Sequence, residues 1–190
     1  MSATDDAAAE REAESAAPKR RVGLVLQGPH TRAVADLCAA CPSGETGCCS
    51  QPPDLSWADV GRVASLGGAR FLEDELSAGR LVAGPRGLAV QRIPGGPSGG
   101  TKCGYHGERG CTLPPERRSA ACNYYICPEA LAEAGDEAIS VEAGSLAWTA
   151  AYHQWNEALS EEVERLGTPA LGEALFAELG RLFLERSASR

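Results

Sequence analysis

Apolar residues recur along the C-terminal third of the chain with a helical period. Trp148, Tyr152, Trp155, Leu159, Val163 and Leu166 follow one another at spacings of 4, 3, 4, 4 and 3, which puts them on one stripe of a helix. Glu157, Glu161, Glu162 and Glu164 fall off that stripe and belong in solvent. Gly167-Thr168-Pro169 ends this helix and starts another, since glycine favours the position after a helix and proline the first turn of one. The last helix is expected from about Pro169 to Glu185, with Leu171, Leu175, Leu179 and Leu182 on its buried face. Together they predict a helical hairpin over 140–186.

Further upstream the pattern breaks into short pieces. Ser56-Trp57-Ala58-Asp59 has the form of a capping box, with Leu55 and Val60 placed as its hydrophobic staple. A helix therefore begins there, buries Val60, Val63, Ala64 and Leu66, and stops at Gly67-Gly68. A second short helix, about Ala69 to Ala78, buries Phe71, Leu72 and Leu76. Two apolar runs around Gly84-Pro85-Arg86-Gly87 predict a β-hairpin, and Pro94 to Gly100 reads as a flexible connector that lets Cys103 swing back toward the first cysteine cluster. Thr31 to Leu37 is expected to make one or two helical turns leading to Cys38.

Composition limits what can be packed. The chain has 190 residues, of which 22 are Gly and 12 Pro, against three Phe, three Trp and four Tyr. Residues 1–21 offer no periodic apolar face and are expected to form a disordered tail, leaving 22–190 as a single domain. With so few large side chains, a bound metal could add cohesion, about 10 kcal/mol for a structural zinc. The predicted class is mainly α with a small β-hairpin, a compact cysteine-rich metal-centred domain completed by the helical hairpin. Its metal-binding core is expected over 38–128.

The candidate chemistry lies in eight cysteines: Cys38, Cys41, Cys48, Cys49, Cys103, Cys111, Cys122 and Cys127. Thiolate is a soft donor suited to zinc or to an iron-sulfur cluster, and Cys38-x2-Cys41 is a spacing that lets one tight turn offer two sulfurs to one ion. Adjacent Cys48 and Cys49 point apart in any regular backbone, so they seldom serve one ion equally. Two arrangements stay open: two four-coordinate sites, or one centre built from a subset. His106 lies between Cys103 and Cys111 and is a further candidate ligand, whereas His30 and His153 are read as surface or supporting groups. Tyr124 and Tyr125 are expected to shield the centre from water.

The cysteine pattern is also specific enough to suggest a family. Cys-x2-Cys-x6-Cys-Cys, an Asp near the start of the following helix (Asp59), Cys103-x7-Cys111 and Arg118-x3-Cys122-x4-Cys127 resemble the YkgJ-type cysteine-cluster family, described as a zinc- or iron-chelating domain. The resemblance spans 38–128. It departs from the family at Arg118-Ser119, where an Arg-Pro is usual, in a longer gap between Cys41 and the doublet, and at Pro114-Pro115, where an aromatic often follows Cys111. The resemblance implies metal binding, zinc or iron-sulfur. A related cluster occurs in flagellin lysine methylases, where an iron-sulfur centre accompanies methyl transfer.

Charge and motifs narrow the function classes. Net charge is −8, and residues 129–190 carry 12 Asp or Glu against 4 Arg, whereas 22–128 carry 10 Lys or Arg against 9 acids. Arg70, Arg92, Lys102, Arg109, Arg117 and Arg118 could offset thiolate charge. An acidic chain of pI near 5.0 without a clustered basic face gives no support for nucleic-acid binding. Val22–Leu26 is too short an apolar run for export or for spanning a membrane, so a cytoplasmic chain with reduced thiols is expected, and metal binding outranks disulfides. No nucleophile-elbow, phosphate-loop, dinucleotide or zinc-protease motif occurs, so catalysis is left undecided. The expected function is a metal-binding protein whose partner is the ion, with a protein partner left open. The alternatives are an iron-sulfur-dependent enzyme or accessory factor of methyl-transfer or redox type, and a thiol-based redox or metal sensor.

Overall fold

Ser56 and Asp59 cap each other. The Asp59 backbone N–H donates to Ser56 Oγ at 3.2 Å, and the Ser56 N–H donates to the Asp59 carboxylate at 3.0 Å. This reciprocal cap starts α1 (Trp57–Val63), all seven residues of which are buried. The structure, a computed structural model, describes residues 21–37, 47–95, 100–108, 110–167 and 170–188. The expectations for the tail (1–20), for Cys38 and Cys41, and for Arg109 lie outside the described residues.

One wide π turn, Ala64–Gly68, follows α1 and breaks at Leu66 and Gly67, where Gly67 takes φ of +72°. The chain then enters α2 (Ala69–Ser77) in a new direction. Two long C-terminal helices, α5 (Ala138–Leu166) and α6 (Glu173–Ala188), pack on α1 and on each other. Along the predicted stripe Tyr152, Trp155, Leu159 and Val163 are buried, Trp148 is half-buried and Leu166 is exposed. On α6 the buried residues include Leu175, Phe176, Leu179, Leu182 and Phe183.

The remaining chain forms nine short strands among the described residues, arranged in four separate sheets. Strands β1 (Val22–Val25) and β2 (Arg32–Ala35) pair antiparallel with Val22 opposite Ala35. Strands β3 (Leu55–Ser56), β4 (Leu81–Gly84) and β5 (Gly87–Val90) form a sheet in the order β3-β5-β4, in which β4 and β5 make the hairpin predicted around Gly84-Pro85-Arg86-Gly87. Strand β6 (Arg92–Pro94) pairs with β7 (Thr101–Cys103), and β8 (His106–Gly107) with β9 (Gly110–Cys111). Two short helices, α3 (Ala120–Tyr124) and α4 (Pro128–Ala132), lead into α5.

This architecture corrects the expected fold class. Helix dominates, but the β-structure is four small sheets rather than one hairpin, and the organising centre is apolar rather than metallic. Among the described residues no group of three or more His, Cys, Asp or Glu side chains is placed to hold an ion. The physical reason is where the few aromatics go. Trp57, Tyr105, Tyr124, Tyr152, Trp155, Phe176 and Phe183 are all buried in one cluster, with Phe71 and Trp148 packed against it. Burying each such side chain contributes about 1.5–3 kcal/mol, so the helices have an apolar core to close on. The helical turns expected over Thr31 to Leu37 are confined to a 3-10 stretch at Asp36 and Leu37, since Arg32–Ala35 pairs as β2.

Candidate functional site

The described cysteines gather on loops and short elements at one edge of the helical core. Cys48 and Cys49 sit on a 3-10 turn, Cys48–Ser50, closed by a hydrogen bond from the Ser50 N–H to the Gly47 carbonyl at 2.9 Å. Strand β7 packs against that turn and ends in Cys103. Residues 96–99 of the predicted connector lie outside the described residues; at its ends the Gly95 N–H donates to the Gly100 carbonyl at 2.6 Å, and β6 and β7 pair on either side. The next hairpin folds Cys111 back toward Cys103. It is locked by Thr112, whose N–H and Oγ donate to the Tyr105 carbonyl at 2.8 Å and 3.0 Å. Tyr105 itself is buried and donates its hydroxyl to Glu75 at 2.5 Å, which fastens the hairpin to α2.

Five of these thiols share one electrostatic environment. The Cys49 thiol hydrogen-bonds to Cys48, which lowers the Cys48 pKa to about 6 and raises that of Cys49. Burial and the neighbouring charges of Cys48, Cys103 and Cys122 raise Cys49 further. Cys103 is raised by burial and by Cys111 and Cys48, and Cys122, although exposed to solvent, is raised by the neighbouring protein and by Cys111 and Cys103. Cys48, Cys49, Cys103, Cys111 and Cys122 are therefore within reach of one another's charge. Cys127 is used differently, since its sulfur accepts the Ala130 N–H at 3.4 Å and caps α4. No disulfide joins the described cysteines. An open depression of about 410 Å³ lies beside Cys111, lined by Gly107, Glu108, Gly110, Cys111 and Thr112.

The donor chemistry suits a soft cation, because like charges that lift a thiol's pKa in isolation are offset when a metal binds among them. The geometry is not assembled, since no three donors among the described residues are close enough to form a cage. Of the basic residues expected to balance thiolate charge, three are engaged elsewhere. Arg70 pairs with Asp74 at 3.0 Å, and Arg118 Nε donates to the Leu113 carbonyl at 2.8 Å. Arg117 donates to the carbonyls of Val63, Leu66 and Gly67 at the α1–α2 kink, with its guanidinium 5.7 Å from the Phe71 ring centre. Tyr124 is buried as expected, but Tyr125 is 56% exposed.

A buried polar cluster that the sequence did not announce sets the position of Cys122. Asp59 accepts the Ala120 N–H at 2.5 Å, the Tyr152 hydroxyl at 3.0 Å and the Ser56 hydroxyl at 2.9 Å. Beside it, Arg62 donates from Nε to Tyr152 Oη at 3.3 Å and from its terminal nitrogens to the carbonyls of Glu116 and Arg118. Burial pushes the Asp59 carboxyl above the usual carboxylate range, against the pull of Arg62 and the donors. Ala120 is the first residue of α3, which carries Cys122, so this cluster ties the thiol-bearing helix to α1 and α5. The signal in the sequence was the capping-box Asp59 and Arg62 three residues later; their burial depends on α5, far along the chain.

No family model, curated protein or solved structure matches this chain. Among the described residues no helix is long and apolar enough to cross a membrane.

Proposed function

We propose that this chain chelates a metal, zinc or an iron-sulfur centre, with clustered thiolates on the edge of a helical core, as the YkgJ-type resemblance implies. The observation that carries the reading is the shared field of Cys48, Cys49, Cys103, Cys111 and Cys122, which come from four separate segments. Thiols gathered at that range repel once ionised, and a bound cation reverses the balance. Cys38 and Cys41, outside the described residues, are further donors that the resemblance implies; Cys127 is a weaker candidate because it caps α4.

The ion's role in this reading is functional rather than architectural. The apolar cluster around α1, α5 and α6 is closed by side chains, so the metal-free protein keeps its helices. Binding then draws the loops together, and its free energy goes into ordering donors instead of folding the domain.

Anaerobic purification followed by elemental analysis and a visible spectrum tests this directly. Bound zinc or iron in stoichiometric amount, lost in Cys103→Ser and Cys122→Ser, is the expected result. Chelation should remove the metal while far-ultraviolet circular dichroism keeps its helical signal. Protein without metal after anaerobic purification and reconstitution, or a metal content unchanged in both variants, refutes the proposal.

A second reading has one observation in its favour. Cys48 is exposed and favours its thiolate, with the Cys49 thiol adjacent, which suits a peroxide-sensing pair. Zinc release by peroxide that reverses with a thiol reductant distinguishes it from a static site.

A further inference from the structure

Helix α5 carries a second stripe, on the side away from the core. Val141, Tyr152, Trp155 and Leu159 are buried on one side of it. On the other, Ile139, Ala143, Leu146 and Ala150 follow at spacings of 4, 3 and 4, and all four are exposed. Ile139 is 82% and Leu146 64% exposed, so two large apolar side chains stand in water on one helical face. The neighbouring segments widen this apolar region. Leu24 of β1 lies against α5 at Gly144, the Ser145 hydroxyl donates to the Tyr124 carbonyl, and close by along those two segments Leu26 and Tyr125 are exposed.

Farther along the helix the same stripe turns acidic. Past His153 it reaches Glu157, Glu161 and Glu164, all exposed and none in an ion pair among the described residues. Between Arg118 and Arg165 the chain carries nine Asp or Glu and no Lys or Arg, so α5 has no cation of its own to offset them before its last turn. There Arg165 is taken by Glu162. One face thus presents an apolar half about 16 Å long followed by an anionic half.

We propose that this face of α5 docks a basic amphipathic helix of another protein, whose apolar residues cover Ile139 to Ala150 and whose Lys or Arg residues meet Glu157, Glu161 and Glu164. It stands independently of metal chelation. The mode is helix against helix, read by anchors three and four residues apart, with charge setting partner choice and register. Ala143 and Ala150 alternate with the two large residues and leave hollows into which a partner's side chains fit. A second copy of this chain fits worse. Two α5 helices packed parallel set glutamate against glutamate, and packed antiparallel over their apolar halves they carry Glu157 of one past the exposed Asp136 and Glu137 of the other. The same charges oppose an anionic lipid surface.

Fluorescence anisotropy on the full-length protein, with labelled synthetic peptides, tests this. Each probe is a helix-forming peptide of about 25 residues, long enough to span Ile139 to Glu164, with a Leu stripe in one half and Lys on the same stripe in the other. Two probes carry the halves in opposite order, to allow for either packing direction. Saturable binding of one probe, weakened by salt, is the expected result. Leu146→Asp and, separately, Ile139→Asp should each lower affinity by roughly tenfold or more. Glu157→Gln combined with Glu161→Gln and Glu164→Gln should weaken binding at low salt and flatten its salt dependence. All five positions are exposed, so circular dichroism should stay at the wild-type signal. No binding of either probe overturns the inference. So does equal binding of a peptide of the same composition shuffled off the stripe, or binding that ignores both aspartate variants. A wild-type dimer in sedimentation that Leu146→Asp converts to monomer assigns the face to a second copy and overturns it as well, as does co-sedimentation with anionic phospholipid vesicles that the same variant abolishes.

Discussion

Replacing Gly61 by alanine probes how the core closes. Gly61 sits inside α1, and in an ordinary helix interior the change stabilises by about 1 kcal/mol. Here a Cβ would stand 2.7 Å from the Leu179 carbonyl oxygen, 2.9 Å from Leu159 Cδ2 and 2.9 Å from Phe183 Cβ. The carbonyl belongs to the backbone of α6 and cannot rotate away, so α1 and α6 must separate by some tenths of an ångström. Gly180 on α6 reciprocates, with the nearest contact of an added Cβ being the Ser65 backbone nitrogen at 3.0 Å. Overpacking of this kind costs typically 1–3 kcal/mol, and three contacts below 3.0 Å place it at the upper end, near 3 kcal/mol. The net loss is about 2 kcal/mol, or about 4–8 °C in Tm for a domain of this size. Thermal denaturation followed by circular dichroism reads the shift. Gly144→Ala is the control, because the nearest obstacle there is only the Leu24 side-chain tip. A Gly61→Ala protein with a Tm equal to or above wild type refutes the close backbone contact between α1 and α6.

Two further outcomes follow from the polar contacts. Glu75 accepts from Arg80 at 2.6 Å and 2.7 Å and from Tyr105 at 2.5 Å, and the Arg80 bonds above all hold its pKa below the ordinary value of 4.5. Its contribution is therefore complete above pH 4.5 and is lost as the pH falls through the depressed folded value. Glu75→Gln should cost about 1–2 kcal/mol at neutral pH, discounted because Arg80 is half exposed, and the gap to wild type should close in acid. A gap independent of pH in urea titrations contradicts this. Asp59→Asn leaves Arg62 buried without its counter-charge and should cost about 3–5 kcal/mol. Hydrogen exchange should show protection lost first across 115–124, and uniform loss across the molecule argues against the link from Asp59 to Cys122.

Local signals in the sequence translated into structure where the partners were close by. The Ser56–Asp59 cap, the turn at Gly84 to Gly87 and the helical periods of α5 and α6 each involve residues a few positions apart. Strand β2 escaped because Arg-Ala-Val-Ala has little β-preference of its own and is fixed by pairing with β1. The count of aromatics suggests a core short of cohesion, but their convergence matters more: Trp155 and Phe183 meet edge to face at 5.6 Å from two different helices. Among the thiols, nothing in the sequence signals the separate part that Cys127 takes. Cys127 became a helix cap through Ala130, a partner three residues away that no cysteine spacing announces.

The aromatic cluster gives the molecule a built-in optical reporter. Tyr124 terminates the helix that carries Cys122, and its ring lies 6.5 Å from Trp148, which lies 6.2 Å from Trp155. Excitation absorbed at the thiol edge can therefore pass to indoles in the interior over contact distances. Any displacement of that helix changes the stacking, and so changes intrinsic emission without an added label.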